Sequence, residues 1–64
     1  MTNKLKMVRE RKGFTQYELG RLLGKYQSWV WQIENSYSVP SEQEKEALAK
    51  VLEVDVDEVF PEMA

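Results

Sequence analysis

Apolar positions recur along this chain at helical spacing, and residues that start and stop helices punctuate them. Leu5 and Val8 stand three apart and Gly13 follows, which predicts a first helix from about Asn3 to Lys12 ended by the glycine. Thr15-Gln16-Tyr17-Glu18 is a capping box, with a hydroxyl for the orphan amides and a glutamate three residues on. It opens a short second helix that carries Leu19, Leu22 and Leu23 and is closed by Gly24. Only a few residues separate that helix from a third, predicted from about Gln27 to Asn35. Ser36-Tyr37-Ser38-Val39-Pro40 reads as a turn or loop, because Pro40 pushes Val39 away from helical geometry. Ser41-Glu42-Gln43-Glu44 is a second capping box, and Leu48, Val51 and Leu52 form the apolar stripe of a fourth helix. Asp55-Val56-Asp57-Glu58 makes a third box, for a final turn that ends before Pro61. Strand signals are nearly absent, so the pattern predicts an all-α, compact bundle of about five short helices, one domain over residues 1–64.

Two short helices joined by a tight, glycine-containing turn make a helix-turn-helix unit, here at about residues 15–35. At roughly 100° per residue, the third helix divides into two arcs. Trp29, Val30, Ile33 and Glu34 share one arc, which is apolar with a single acid. Gln27, Ser28, Trp31, Gln32 and Asn35 share the other, which holds amides, a hydroxyl and one tryptophan. Glutamine and asparagine donate and accept at once, and so match the N6 and N7 edge of adenine in the major groove. Gln27 and Gln32 suit that role, and Ser28 suits a base or a phosphate. An ordinary solvated face would carry Lys and Glu in place of these amides.

Composition narrows the function classes. The 64 residues contain no cysteine and no histidine, so no disulfide staples the fold and the commonest metal ligands and general base are missing. Catalysis would need paired carboxylates in a cleft, but the acids fall at helix starts and on outward faces. The chain is therefore not expected to be an enzyme, nor to hold a metal, a cofactor or a small-molecule ligand. No apolar run approaches the roughly 18 residues that span a bilayer, and Met1-Thr2-Asn3-Lys4-Leu5 is no hydrophobic signal segment. A cytoplasmic location without membrane contact is the expectation.

The net charge of −2 runs against nucleic-acid binding, but it hides a division. Residues 1–25 hold seven cations against two acids, net +5, while residues 26–64 hold two cations against nine acids, net −7. Such asymmetry suits one face toward an anion and another toward water or a protein.

Leu5-Lys6-Met7-Val8-Arg9, Gly13-Phe14-Thr15-Gln16, Leu19, Leu23-Gly24, Ile33-Glu34-Asn35, Pro40-Ser41 and Leu48-Ala49-Lys50 through Val54 together resemble the Cro/C1-type (XRE) family of phage and bacterial repressors. The resemblance covers about residues 3–61 and implies a lambda-repressor-like fold. It also implies roles. Gln16 would contact phosphate and brace Gln27, and Gln27, Ser28 and Gln32 would face base edges. Asn35, Ser36, Tyr37 and Ser38 would sit against phosphates. Arg9 and Glu34 would form a buried structural ion pair joining the first and third helices.

Several features depart from the family's habit or stand out against it. Ser36-Tyr37-Ser38 stands where a glycine and basic residues are common, and the third helix has no Lys or Arg, so either affinity is modest, or Lys25 and the N-terminal cluster supply the charge, or the partner is not DNA. Tyr26 stands where a Ser or Thr often caps the third helix, leaving its phenol for the core edge or a phosphate. Trp31, on the outward arc, suits thymine methyls, the DNA backbone or a protein partner.

The reading that follows is a repressor-like transcriptional regulator that binds double-stranded DNA in sequence-specific fashion. It would act as a homodimer on a pseudo-palindromic operator. Leu22, Val56, Val59, Phe60 and Met63 are open to two uses, an apolar patch between copies or completion of the core. The alternative function is a protein-interaction module on the same fold, an antitoxin or anti-repressor partner using the acidic half.

Overall fold

A computed structural model describes residues 3–61. In order they form α1 (Leu5–Arg11), α2 (Gln16–Leu22), α3 (Gln27–Glu34), α4 (Glu42–Leu52) and α5 (Val56–Val59), with no strand among the described residues. The all-α expectation is met, and each helix starts within two residues of its predicted start. Met63 lies outside the described residues.

The starts follow from local chemistry. Thr15 Oγ1 accepts from the Glu18 N–H at 3.0 Å, and the Glu18 carboxylate accepts from the Thr15 N–H at 2.9 Å. Ser41 and Glu44 repeat this at 3.1 and 2.9 Å. The box at α5 is looser, its Asp55 N–H lying 3.5 Å from Glu58 Oε1. α1 has no such box. Asn3 serves it instead, accepting from the Leu5 N–H at 2.9 Å and donating to the Ile33 carbonyl at 2.9 Å, which ties the start of α1 to the end of α3.

The four longer helices all stop in the same way. Each ends in a left-handed residue followed by paired return hydrogen bonds, a Schellman motif. Gly13 (φ +85°) ends α1 and Gly24 (φ +70°) ends α2, as predicted. Ser36 (φ +63°) ends α3 and Glu53 (φ +60°) ends α4 in the same conformation without glycine. At α3 the Ser36 N–H reaches the Ile33 carbonyl at 3.1 Å and the Tyr37 N–H reaches the Gln32 carbonyl at 2.8 Å.

Leu5, Val8, Leu19, Val30, Ile33, Leu48, Leu52, Val59 and Phe60 form the core, drawn from all five helices and the residue after α5. A backbone bond from the Lys4 N–H to the Val59 carbonyl at 2.8 Å closes α5 onto α1. Val59 and Phe60 are thus core residues and are not available for an apolar patch between copies; Val56 packs against the core, and Leu22 stays exposed.

The α2–α3 turn needs a small residue that the hydrophobic pattern does not reveal. Gly20 is buried in α2, and a Cβ built there would lie 3.0 Å from the Tyr26 carbonyl oxygen and 3.2 Å from that of Lys25. The turn lies directly on the helix, which fixes how α3 leaves α2. Lys45 is a second surprise. Its side chain is 2 % exposed, with its ammonium 3.0 Å from the Glu42 carboxylate. Lys45 precedes Leu48, Ala49 and Leu52 by three, four and seven residues, so it falls on the buried stripe of α4 and runs its stem along it.

Candidate nucleic-acid interface

α3 presents the two faces that its sequence implies. Val30 and Ile33 are fully buried and Trp29 is half-buried, whereas Gln27, Ser28, Trp31, Gln32 and Asn35 are exposed. Behind the helix lies the Arg9–Glu34 pair, whose side chains are 8 % and 1 % exposed. Arg9 Nε donates to Glu34 Oε2 at 2.6 Å and Nη2 to Oε1 at 3.3 Å, a two-pronged grip, while Nη1 donates to the Phe14 carbonyl at 2.7 Å. One guanidinium therefore joins α1, the α1–α2 connection and α3.

The network continues outward. Gln16 Nε2 donates to Glu34 Oε1 at 3.0 Å, and Gln27 Nε2 approaches Gln16 Oε1 at 3.4 Å. A carboxylate only accepts, so it draws the NH2 end of Gln16 inward and turns its carbonyl oxygen toward Gln27. Gln27 then uses one N–H on Gln16 and keeps its own carbonyl oxygen and second N–H for a partner outside. Gln16, Gln27, Ser28, Trp31 and Gln32 line one shallow depression on this side. A hydrogen-bonded chain from the buried ion pair thus positions an amide at the surface.

The end of α3 is equally ordered. Asn35 Nδ2 donates to the Trp31 carbonyl at 2.9 Å, so its amide is partly engaged within the helix. Tyr37 stacks on Trp31 with ring centroids 5.4 Å apart and planes within 12°. Ser36 supplies the left-handed turn that brings Tyr37 back along the helix.

Two predicted site residues have surroundings that the sequence left open. Lys25 does not stand free at the start of α3: its ammonium lies 3.2 Å from the Glu44 carboxylate and 5.3 Å from the centre of the Trp29 ring. It braces α3 against α4. Tyr26 is 84 % exposed and makes no side-chain cap, so its phenol does not pack on the core edge. Sequence reasoning also passed over Arg21 as an individual. It is exposed and lines a depression with Tyr17, Gly24, Lys25, Tyr26, Gln27 and Ser28, which puts a cation beside the start of α3. Its spacing from Gln27 carries no helical signal, since the two lie on different helices, and only the tight turn makes them neighbours.

Glu44 has its carboxyl held below the ordinary carboxylate value, chiefly by the Ser41 N–H that bonds it and then by Lys25. Among the described residues, no helix is long and apolar enough to cross a membrane. No curated protein matches the chain. The family described as helix-turn-helix domain matches it over residues 1–60, nearly its whole length. With a five-helix fold, a glycine-tight α2–α3 turn and an amide-bearing α3, this chain belongs to that helix-turn-helix family, within the Cro/C1-type (XRE) group whose domains bind DNA.

Proposed function

We propose that this protein is a sequence-specific transcriptional regulator, repressor-like in action, that lays α3 in the major groove of double-stranded DNA. The observation that carries the reading is the outer face of α3. There Gln27, exposed, is held by Gln16 and, through it, by Glu34, while its carbonyl oxygen and second N–H are not engaged on Gln16. A major groove about 12 Å wide admits a helix, and a glutamine so presented matches the N7 acceptor and N6 donor of adenine. Ser28 and Gln32 extend the reading to neighbouring base edges. Arg21, Gln16, Tyr26 and the Asn35–Tyr37 turn flank the helix as phosphate contacts, which fix register without reading sequence.

One such module reads few base pairs, so the working form is a homodimer on a pseudo-palindrome with half-sites about 34 Å apart. Of the apolar residues considered for contact between copies, Leu22, exposed at the end of α2, stays open to that use. A cytoplasmic location fits this role.

The test is a titration of tryptophan fluorescence with mixed-sequence duplex at several salt concentrations. Trp31 is 46 % exposed on the proposed contact face, so binding should quench it. Log K should fall linearly with log salt, the slope divided by about 0.9 counting the phosphates engaged. Arg21→Ala should reduce that slope by about 1. An unchanged spectrum at low salt, with the protein folded, would sink the DNA reading and favour a protein partner on the aromatic pair.

A further inference from the structure

We propose that the stacked Trp31–Tyr37 pair reads thymine C5-methyl groups and thereby directs α3 to A·T-rich half-sites; this rests on the DNA-binding reading above. The pair is exposed, Trp31 at 46 % and Tyr37 at 76 %, so it is not part of the core. Yet it is ordered from three directions. Tyr37 is held by its own N–H on the Gln32 carbonyl at 2.8 Å, behind the left-handed Ser36. Asn35 caps the Trp31 carbonyl at 2.9 Å. The rings themselves stack at 5.4 Å. An indole stacked on Tyr37, on a backbone so bonded, offers an apolar edge with less conformational freedom to lose on binding.

Its place decides what that edge can touch. Trp31 follows Gln27 by four residues and Ser28 by three, and lines the same depression as both. An element that puts these amides on base edges carries the indole into the groove with them. The thymine methyl is the apolar group that base edges present in the major groove. The amides point to the same base pair, since a glutamine that pairs with adenine N6 and N7 has a thymine opposite it. α3 contains no Lys or Arg for the two-pronged contact with guanine O6 and N7, and Lys25 is held on Glu44. On α3 itself, cation readout of guanine is therefore missing where amide readout of adenine and apolar readout of thymine are both provided, and the nearest exposed cation, Arg21, stands on α2.

The experiment starts from a random-sequence duplex library selected on the full chain, followed by affinity measurements on the selected duplex and on copies with deoxyuridine in place of single thymines. That exchange removes one methyl and leaves every hydrogen-bonding group intact. Selected sites should be enriched in A·T pairs, and each contacted thymine should cost about fourfold in affinity when its methyl is removed. Trp31→Ala, its fold checked by circular dichroism, should bind thymine and uracil duplexes alike, and Tyr37→Ala should lose part of the discrimination. Selected sites without A·T enrichment, or uracil duplexes bound as tightly as thymine ones, would overturn the proposal while salt-dependent DNA binding stood. Trp31→Ala that discriminates as the parent does would overturn it too, and leave the pair as a protein contact. Absence of binding to any duplex at low salt would fail the DNA reading itself, a result distinct from either.

Discussion

The two sides of α3 are built to opposite rules. On the inner side every polar group is matched: Glu34 takes Arg9 in two bonds and Gln16 in a third, and no buried side-chain polar atom among the described residues lacks a partner. On the outer side Gln27, Ser28 and Gln32 present groups that protein leaves largely unmatched, beside an indole that no core covers. The lesson is that one eight-residue helix carries the fold on one face and the proposed readout on the other, with Gln16 joining them. Variants of the inner face should therefore act on stability, and variants of the outer face on binding alone.

The largest effect should come from the inner face. Glu34→Ala strands the Arg9 guanidinium at 8 % exposure and frees the Gln16 amide. Leaving one member of a buried pair alone costs about 3–5 kcal/mol, a large share of what a domain of this size can hold. Urea denaturation should find Glu34→Ala partly unfolded in buffer. A loss below about 1 kcal/mol would mean that the pair is not the clamp its geometry suggests.

Gly20→Val tests the same side through sterics. Its branched side chain would be driven at the Tyr26 and Lys25 carbonyls, already 3.0 and 3.2 Å from where a Cβ would stand. Overpacking against backbone costs about 1–3 kcal/mol. Gly20→Ala should cost far less, because alanine recovers about 1 kcal/mol of helix propensity. Equal thermal midpoints for the valine and alanine variants would show that the turn can move away.

Gln27→Ala is the outer-face counterpart. Stability should stay within about 0.5 kcal/mol of the parent, since the lost bond to Gln16 is long and exposed. Affinity for a selected duplex should drop by about 1–3 kcal/mol, about 5- to 150-fold, the cost of one lost two-pronged base contact. A variant that loses stability and affinity in parallel would break the division between the faces.

How far each face was legible in the sequence follows from the range of the interactions. Helix starts were legible because Thr15 with Glu18 and Ser41 with Glu44 act across three residues. The split of α3 into an apolar and an amide arc was legible because helical period alone sets it. The ends of α3 and α4 were harder to read: Ser36 and Glu53 take up a conformation that glycine usually signals. The contact of Lys25 with Glu44 was not legible because Glu44 belongs to another helix, and charge counting sees a cation without its neighbour. Gly20 and Lys45 were missed for a related reason, since close approach and burial are properties of packing rather than of local pattern.

Ser36 lies at the boundary between the faces and allows a smaller test. A left-handed serine pays a steric cost of roughly 1–2 kcal/mol that glycine avoids, and glycine returns part of that through a looser unfolded chain. Ser36→Gly should therefore stabilise by up to about 1 kcal/mol, or a few degrees in Tm. Gly24→Ala should do the reverse by about 1 kcal/mol, for a purely backbone reason, as nothing lies within 4 Å of a Cβ there. Opposite signs in paired melts would confirm that helix-end geometry, not side-chain contact, is being measured. Destabilisation by Ser36→Gly would mean that the serine hydroxyl has work at the turn.

The smallest effect concerns the edge where α3 meets α4. Glu44 is depressed from its ordinary value of 4.5, first by the Ser41 N–H and then by Lys25, which also lies over Trp29. A carboxyl with a lower pKa folded than unfolded binds more protons in the unfolded chain. Its contribution is therefore fully present above the unfolded value and is lost as pH falls through the folded one. Stability measured from pH 6 downward should begin to fall near pH 4.5, with Glu44→Gln showing a shallower decline over that interval. Lys25→Met should flatten it less, because the Ser41 bond is the larger cause of the depression. Identical acid profiles for the parent and Glu44→Gln would place the acid sensitivity elsewhere.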